Sequence, residues 1–155
     1  MRVLGYDPYL TAAACQERGA WPVTLDELLT QADFVTIHCP LNAETRSMIA
    51  RRELALMLPH AFLITTARGG IVDEEALIEL LRERRISGAI LDVFEEEPLP
   101  PGSPFWTLPN VVVTPHISSE LEGWQVELVR IFCRNLQHWM NDEPLENVVD
   151  PSAGY

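Results

Sequence analysis

Residues 61–92 read AFLITTARGGIVDEEALIELLRERRISGAILD, and their order decides the fold. Ala61 to Thr65 is a short run of apolar and β-branched residues, the length and composition of a buried parallel strand. A turn follows at Thr66-Ala67-Arg68-Gly69-Gly70. From Asp73 an acidic first turn leads into Ala76, Leu77, Leu80 and Leu81, spaced three and four apart, and the stretch closes on the basic Arg82 to Arg85. That is an amphipathic helix whose charges complement its dipole. Gly88 to Asp92 is a second short apolar run. Strand, turn, helix and strand in this compass form a βαβ unit with two parallel strands.

The same alternation extends both ways. Arg2 to Tyr6, Phe34 to His38 and Val111 to Thr114 are further strand candidates. Thr24-Leu25-Asp26-Glu27 has the spacing of a capping box, so a short helix should follow it. Ser119 to Met140 carries Leu121, Leu128, Val129, Ile131, Phe132, Leu136 and Trp139 at mostly helical spacing and predicts the longest helix. The four prolines between Glu97 and Pro104 make that run a loop. The fold class is α/β, a parallel doubly wound sheet covered by helices on both faces. Ligands of such sheets bind at the carboxyl ends of the strands. That rule singles out Asp7, His38-Cys39-Pro40, Thr66-Ala67-Arg68, Asp92 and His116, each at or just beyond a strand end.

The bulk properties narrow the function. A chain of 155 residues, 47% apolar, fits one domain around one core. No apolar run approaches the roughly 18 residues of a membrane span, and Met1-Arg2 opens no signal peptide. Cys15, Cys39 and Cys133 show no CxxC spacing, so the chain is expected in a reducing cytoplasm without a disulfide framework or zinc site. A net charge of −12 disfavours nucleic acid as a partner.

Three sets of residues on the rim have chemical uses, each beside a plainer reading. Asp7, before Pro8, suits hydrogen bonds from both hydroxyls of an adenosine ribose and repels a 2′-phosphate, or it is a turn-forming Asp-Pro. Arg68 presents a planar fork to a carboxylate beside a turn that brings backbone close to a ligand, or it is a surface arginine pairing with Asp73 or Glu74. His116 and Glu97 can meet as an imidazole–carboxylate pair, which favours the imidazolium and suits proton transfer to a carbonyl. Alternatively His116 is structural and Glu95-Glu96-Glu97 a solvated acidic run. The histidines show no HExxH spacing and no GxSxG is present, so metal hydrolysis and a serine nucleophile are poorly supported.

Taken in order, Gly5-Tyr6-Asp7-Pro8, His38-Cys39-Pro40-Leu41 with Thr45, Thr66 to Glu74, Leu91-Asp92-Val93-Phe94 with Glu97-Pro98, and Thr114-Pro115-His116 resemble the D-isomer-specific 2-hydroxyacid dehydrogenases. The resemblance covers nearly the whole chain. It implies a Rossmann-like domain that binds NAD and transfers a hydride between the cofactor and a small D-2-hydroxy or 2-oxo acid. It implies that Arg68 holds the substrate, His116 is the general acid/base and Glu97 supports the imidazole. Asp7, Cys39, Thr66, Ala67, Arg68, Asp92, His116, Ser118 and Ser119 are the implied cofactor contacts.

The sequence also departs from the family pattern. Thr65 stands where many relatives have Asn, and Ile117-Ser118-Ser119 replaces a commoner small-residue and Gly pattern. No GxGxxG is present, and the strand and glycine-rich phosphate turn expected ahead of Val3 are missing. Residues 1–141 are therefore read as a partial NAD-binding domain and 142–155 as a tail that in relatives returns to a substrate domain. Such a chain is expected to be weakly active or inactive alone. It should show exposed strand edges, a swapped strand or oligomerisation, most simply a homodimer. The alternatives are a non-catalytic, nucleotide-sensing module like the corepressors of this fold, or a chain with no function of its own.

Overall fold

The strands foreseen between residues 34 and 114 all form and all run parallel. The computed structural model describes residues 1–150 and contains β1 (Leu4–Gly5), α1 (Ala12–Glu17), β2 (Trp21–Pro22), α2 (Leu25–Gln31), β3 (Phe34–Ile37), α3 (Arg51–Leu56), β4 (Phe62–Thr65), α4 (Glu74–Arg82), β5 (Gly88–Leu91), β6 (Val111–Val113) and α5 (Trp124–Met140). The proline-rich loop ends in a single 3-10 turn, Pro104–Trp106. The end of the expected tail, residues 151–155, lies outside the described residues.

Local chemistry accounts for the helix starts. The Thr24 hydroxyl accepts the Glu27 amide while the Glu27 carboxylate accepts the Thr24 amide, the reciprocal pair that opens α2. Asp73 caps α4 by accepting the Ala76 amide. α5 starts at Trp124 and not at Ser119, because Gly123 takes a φ of 83° and breaks the path into the helix. Helices α1 and α3 are six residues each, too short to leave a periodic signal, and the two-residue β2 is disguised by its proline.

The sheet is divided. One sheet has the order β3-β4-β5-β6, and β1 pairs with β2 in a separate two-stranded ribbon. Register in the larger sheet places Val35, Leu63, Ala89 and Val111 side by side, with Ile37, Thr65, Leu91 and Val113 in the next row. These residues point to one face, where Leu29 of α2, Leu54 of α3 and Leu77 and Leu81 of α4 complete the core.

The opposite face corrects the expectation of helices on both sides. Its rows are Phe34, Phe62 and Gly88, then Thr36, Ile64, Ile90 and Val112. Phe34 is 61% exposed and Val112 55%, so water reaches a face as apolar as a core. Phe34 and Phe62 stack there with ring centroids 5.8 Å apart. Among the described residues β1 pairs with β2 alone and β3 with β4 alone. α5 has the foreseen apolar stripe, yet none of its residues is buried.

Candidate active site

The carboxyl ends of β4, β5 and β6 carry three connected groups. Leading out of β4, the Thr66–Gly70 turn exposes Arg68, whose Nη1 donates to the Ala67 carbonyl at 2.7 Å. Arg68 pairs with neither acidic neighbour proposed for it. Asp73 is occupied in capping α4, and Glu74 accepts the Glu95 amide at 2.6 Å. The guanidinium face is thus available to an external anion.

Following β5, the chain turns back on itself at Phe94–Glu97. Glu97 Oε1 accepts the Phe94 amide and Oε2 accepts His116 Nδ1, at 2.9 and 2.8 Å. Glu97, though exposed like Glu95 and Glu96, is therefore tied into the site by both carboxylate oxygens. Burial pushes its carboxyl up, but the hydrogen bonds from His116 and the Phe94 amide, with the charges of His116 and Arg68, outweigh that and hold it below the usual range. An ionised Glu97 can only accept, so Nδ1 carries the proton shared with it and Nε2 is the free ring atom.

His116 itself sits in the left-handed region, at φ 53°. Asp92, at the end of β5 and 2% exposed, organises that turn. Its Oδ1 accepts the Thr114 hydroxyl and the Ile117 amide, and its Oδ2 accepts the Ser118 amide. Burial raises the Asp92 carboxyl, but this set of donors wins and lowers it to about 2. Its folded-state pKa lies below the unfolded value near 3.8, so its stabilisation is complete above that pH and is lost as pH falls toward about 2. The loss should amount to roughly 2 kcal/mol. Urea denaturation of wild type and Asp92→Asn across this acid range tests the assignment; a stability difference independent of pH would refute it.

Gly69 joins the two loops. A Cβ there would lie 1.8 Å from the Phe94 carbonyl oxygen, so the turn after β4 packs backbone on backbone against the loop that presents Glu97. The close approach foreseen for this turn is to the protein itself. Sequence reading misses this role, along with Glu74 and Thr114, because each acts on a residue some twenty positions away.

The remaining rim residues are nearer the surface. Asp7 Oδ1 accepts the Tyr9 amide at 2.8 Å, the turn use foreseen for an Asp-Pro, and the Tyr9 phenol donates to Glu44 at 2.7 Å. Asp7 remains exposed, with Oδ2 uncommitted in that turn. Cys39 is half-buried, and burial raises its thiol, which favours the protonated form. Thr45 donates to the Pro40 carbonyl and accepts the Asn42 amide, which shapes the loop after β3. Ser118 and Ser119 are exposed beside His116.

Two neighbouring features are not ligand sites for an acid. A groove of about 600 Å³ runs past Asp73, Glu74, Glu75, Glu95 and Glu96, whose charge repels anions. Thr65 is 4% exposed and its hydroxyl lacks a hydrogen-bond partner. Thr65→Val, which removes an unsatisfied polar atom with little change in shape, should raise stability by about 1 kcal/mol. A lowered urea midpoint would show that the hydroxyl is satisfied by an internal water.

Arg68, which pairs with neither Asp73 nor Glu74, and the imidazole of His116, hydrogen-bonded to Glu97, thus lie at the carboxyl ends of a parallel sheet, the end at which such sheets bind ligands. The match to known proteins gives this arrangement a lineage: residues 1–118 fit the model of the D-isomer specific 2-hydroxyacid dehydrogenase NAD binding domain, and the chain belongs to that family. It is 42% identical, over 97% of its length, to the D-3-phosphoglycerate dehydrogenase of Methanocaldococcus jannaschii, covering 29% of that protein. It is 44% identical, over 92% of its length, to the glyoxylate/hydroxypyruvate reductase B of Pectobacterium carotovorum, covering 44% of that protein. The crystal structure of a D-isomer specific 2-hydroxyacid dehydrogenase from Xanthobacter autotrophicus, in complex with NADPH and MES, superposes on all of the chain with a TM-score of 0.87 at 36% identity, the chain covering 63% of it. The chain spans less than half the length of these curated relatives.

Proposed function

We propose that this chain carries the catalytic half of an NAD-dependent oxidoreductase acting on a small D-2-hydroxy or 2-oxo acid. The observation that carries the reading is the union of Arg68, Glu97 and His116 through the Gly69 and Phe94 contacts. The residues present suit part of a dinucleotide. Asp7 would hold the adenosine ribose and the 114–118 turn, pinned by Asp92, the nicotinamide end, while no glycine-rich phosphate turn stands in the sequence. When bound, the cofactor supplies the hydride.

The side chains do the rest. Arg68 grips the substrate carboxylate and orients the adjacent carbonyl, and His116 Nε2 donates a proton to the carbonyl oxygen during reduction or takes it from the hydroxyl during oxidation. Glu97 accepts from Nδ1 throughout, which fixes the ring and its tautomer. Residues 1–141 serve this site as an NAD-binding domain, and residues 142–155 as a tail toward a substrate domain. The free thiols of Cys15, Cys39 and Cys133 suit a cytoplasmic setting. No helix among the described residues is long and apolar enough to cross a membrane.

Isothermal titration of the purified chain with NADH and NADPH tests the cofactor assignment, with glyoxylate and hydroxypyruvate added afterwards to follow NADH oxidation. NADH should bind at least about tenfold more tightly than NADPH, because Asp7 repels the 2′-phosphate. Equal affinities would remove Asp7 from the site. Binding without turnover would favour the nucleotide-sensing alternative.

A further inference from the structure

The loop that carries Glu97 is tied to the rest of the chain at few points. Between Val93 and Leu99 the main chain makes no hydrogen bond with another main-chain group among the described residues. Its amides find side chains instead: Phe94 donates to Glu97 of the same loop, and Glu95 donates to Glu74 of α4 at 2.6 Å. Among the described residues, the bond to Glu74 is thus the one hydrogen bond that joins this stretch of backbone to another element. Without it the loop would rest on the burial of Val93 and Phe94, on the Gly69 contact and on His116 itself. Apolar burial holds a loop down but gives a carboxylate no direction.

Glu74 is placed to give that direction. Its helix is fixed, since Asp73 caps it and Ala76, Leu77, Leu80 and Leu81 are buried. The same residue lines a small cavity, about 10 Å³, together with Arg68, Gly69 and Gly70. Holding a carboxylate here has a cost. Burial pushes the Glu74 carboxyl up, the charges of Glu95 and Glu97 add to this, and the bond from the Glu95 amide offsets only part of it. Its folded-state pKa lies above the unfolded value, so the ionised group subtracts from stability at neutral pH. A costly group beside the imidazole–carboxylate pair points to a role in the site and not in the fold.

We propose that Glu74 is a positioning residue for His116: by holding the Glu95 amide it sets the direction from which Glu97 meets the imidazole, and so keeps the ring proton on Nδ1. The 94–95 peptide it holds is also the one against which Gly69 packs, next to Arg68, so a single helix residue keeps both halves of the site in register. The inference rests on the proposed function only in taking Nε2 of His116 as the atom that exchanges a proton.

The test uses the whole chain without ligand. Glu74→Gln keeps an acceptor oxygen at the same reach, Glu74→Asp keeps the charge but not the reach, Glu74→Ala loses both, and Glu75→Ala is the control. Amide hydrogen exchange reads the Glu95 bond, and long-range proton–nitrogen NMR reads the tautomer of neutral His116. In the alanine and aspartate variants exchange at Glu95 should quicken at least about tenfold, and the Nδ1–H share of His116 should fall at least about twofold. The glutamine variant and the control should stay within about twofold of wild type in both. No change at Glu95 or at His116 in the alanine variant, a glutamine variant that behaves like alanine, or an equal effect of Glu75→Ala would each overturn the proposal. Turnover of wild type is measured separately; its absence would count against the proposed function and leave the result on Glu74 standing.

Discussion

Replacing Gly69 by alanine is expected to destabilise the chain by about 3 kcal/mol or more, at the upper end of overpacking effects. The added methyl would meet the Phe94 carbonyl oxygen at 1.8 Å and the Glu95 nitrogen at 2.5 Å. Both are backbone atoms with no rotamer to change, and the loop they belong to is held by Glu74 on one side and by Glu97 on the other. Relief therefore requires moving the carboxylate that orients His116. Urea denaturation should show a lowered midpoint, and His116 should lose its Glu97 partner in the proton NMR spectrum. A loss under about 1 kcal/mol would mean that the loop steps aside freely and that the two halves of the site are not coupled.

His116→Gln is the substitution with the largest expected effect on turnover, a fall in kcat of about 100- to 10,000-fold, the range for loss of a general acid/base. Glutamine can still donate to Glu97 and can adopt the left-handed backbone less readily than histidine, so a modest loss of stability should accompany it. It cannot exchange a proton at the position of Nε2. Affinity for NADH should change by less than about twofold if the residue acts on the substrate oxygen. A loss of activity that merely follows a loss of NADH affinity would reduce His116 to a cofactor contact.

The βαβ core is legible in the sequence because each strand and α4 has its own local signature. The carboxyl-end rule then locates Arg68, Asp92 and His116 on one rim from the order of the strands alone. The Glu97–His116 pair is legible only as one of two readings, since spacing cannot say whether a loop carboxylate turns inward. What settles it is the Phe94 amide, a backbone group that leaves no trace in side-chain pattern. The short elements α1, α3 and β2 escape for want of length. The bare face misleads for a different reason: an uninterrupted apolar strand predicts burial on both sides, and nothing in its residues says which chain segment provides the cover.

The acidity of the chain takes on a second meaning beside that face. An apolar patch with uncharged edges invites adhesion between molecules, whatever its eventual occupant. At neutral pH a net charge of −12 on a 17.5 kDa particle opposes close approach and acts as a colloidal stabiliser. The protection is electrostatic and so has a finite range, about 8 Å at physiological ionic strength and less in concentrated salt. It also vanishes near pH 4.6, where the charges cancel. The same sheet that displays the site thus has a shelf life in solution set by salt and acid.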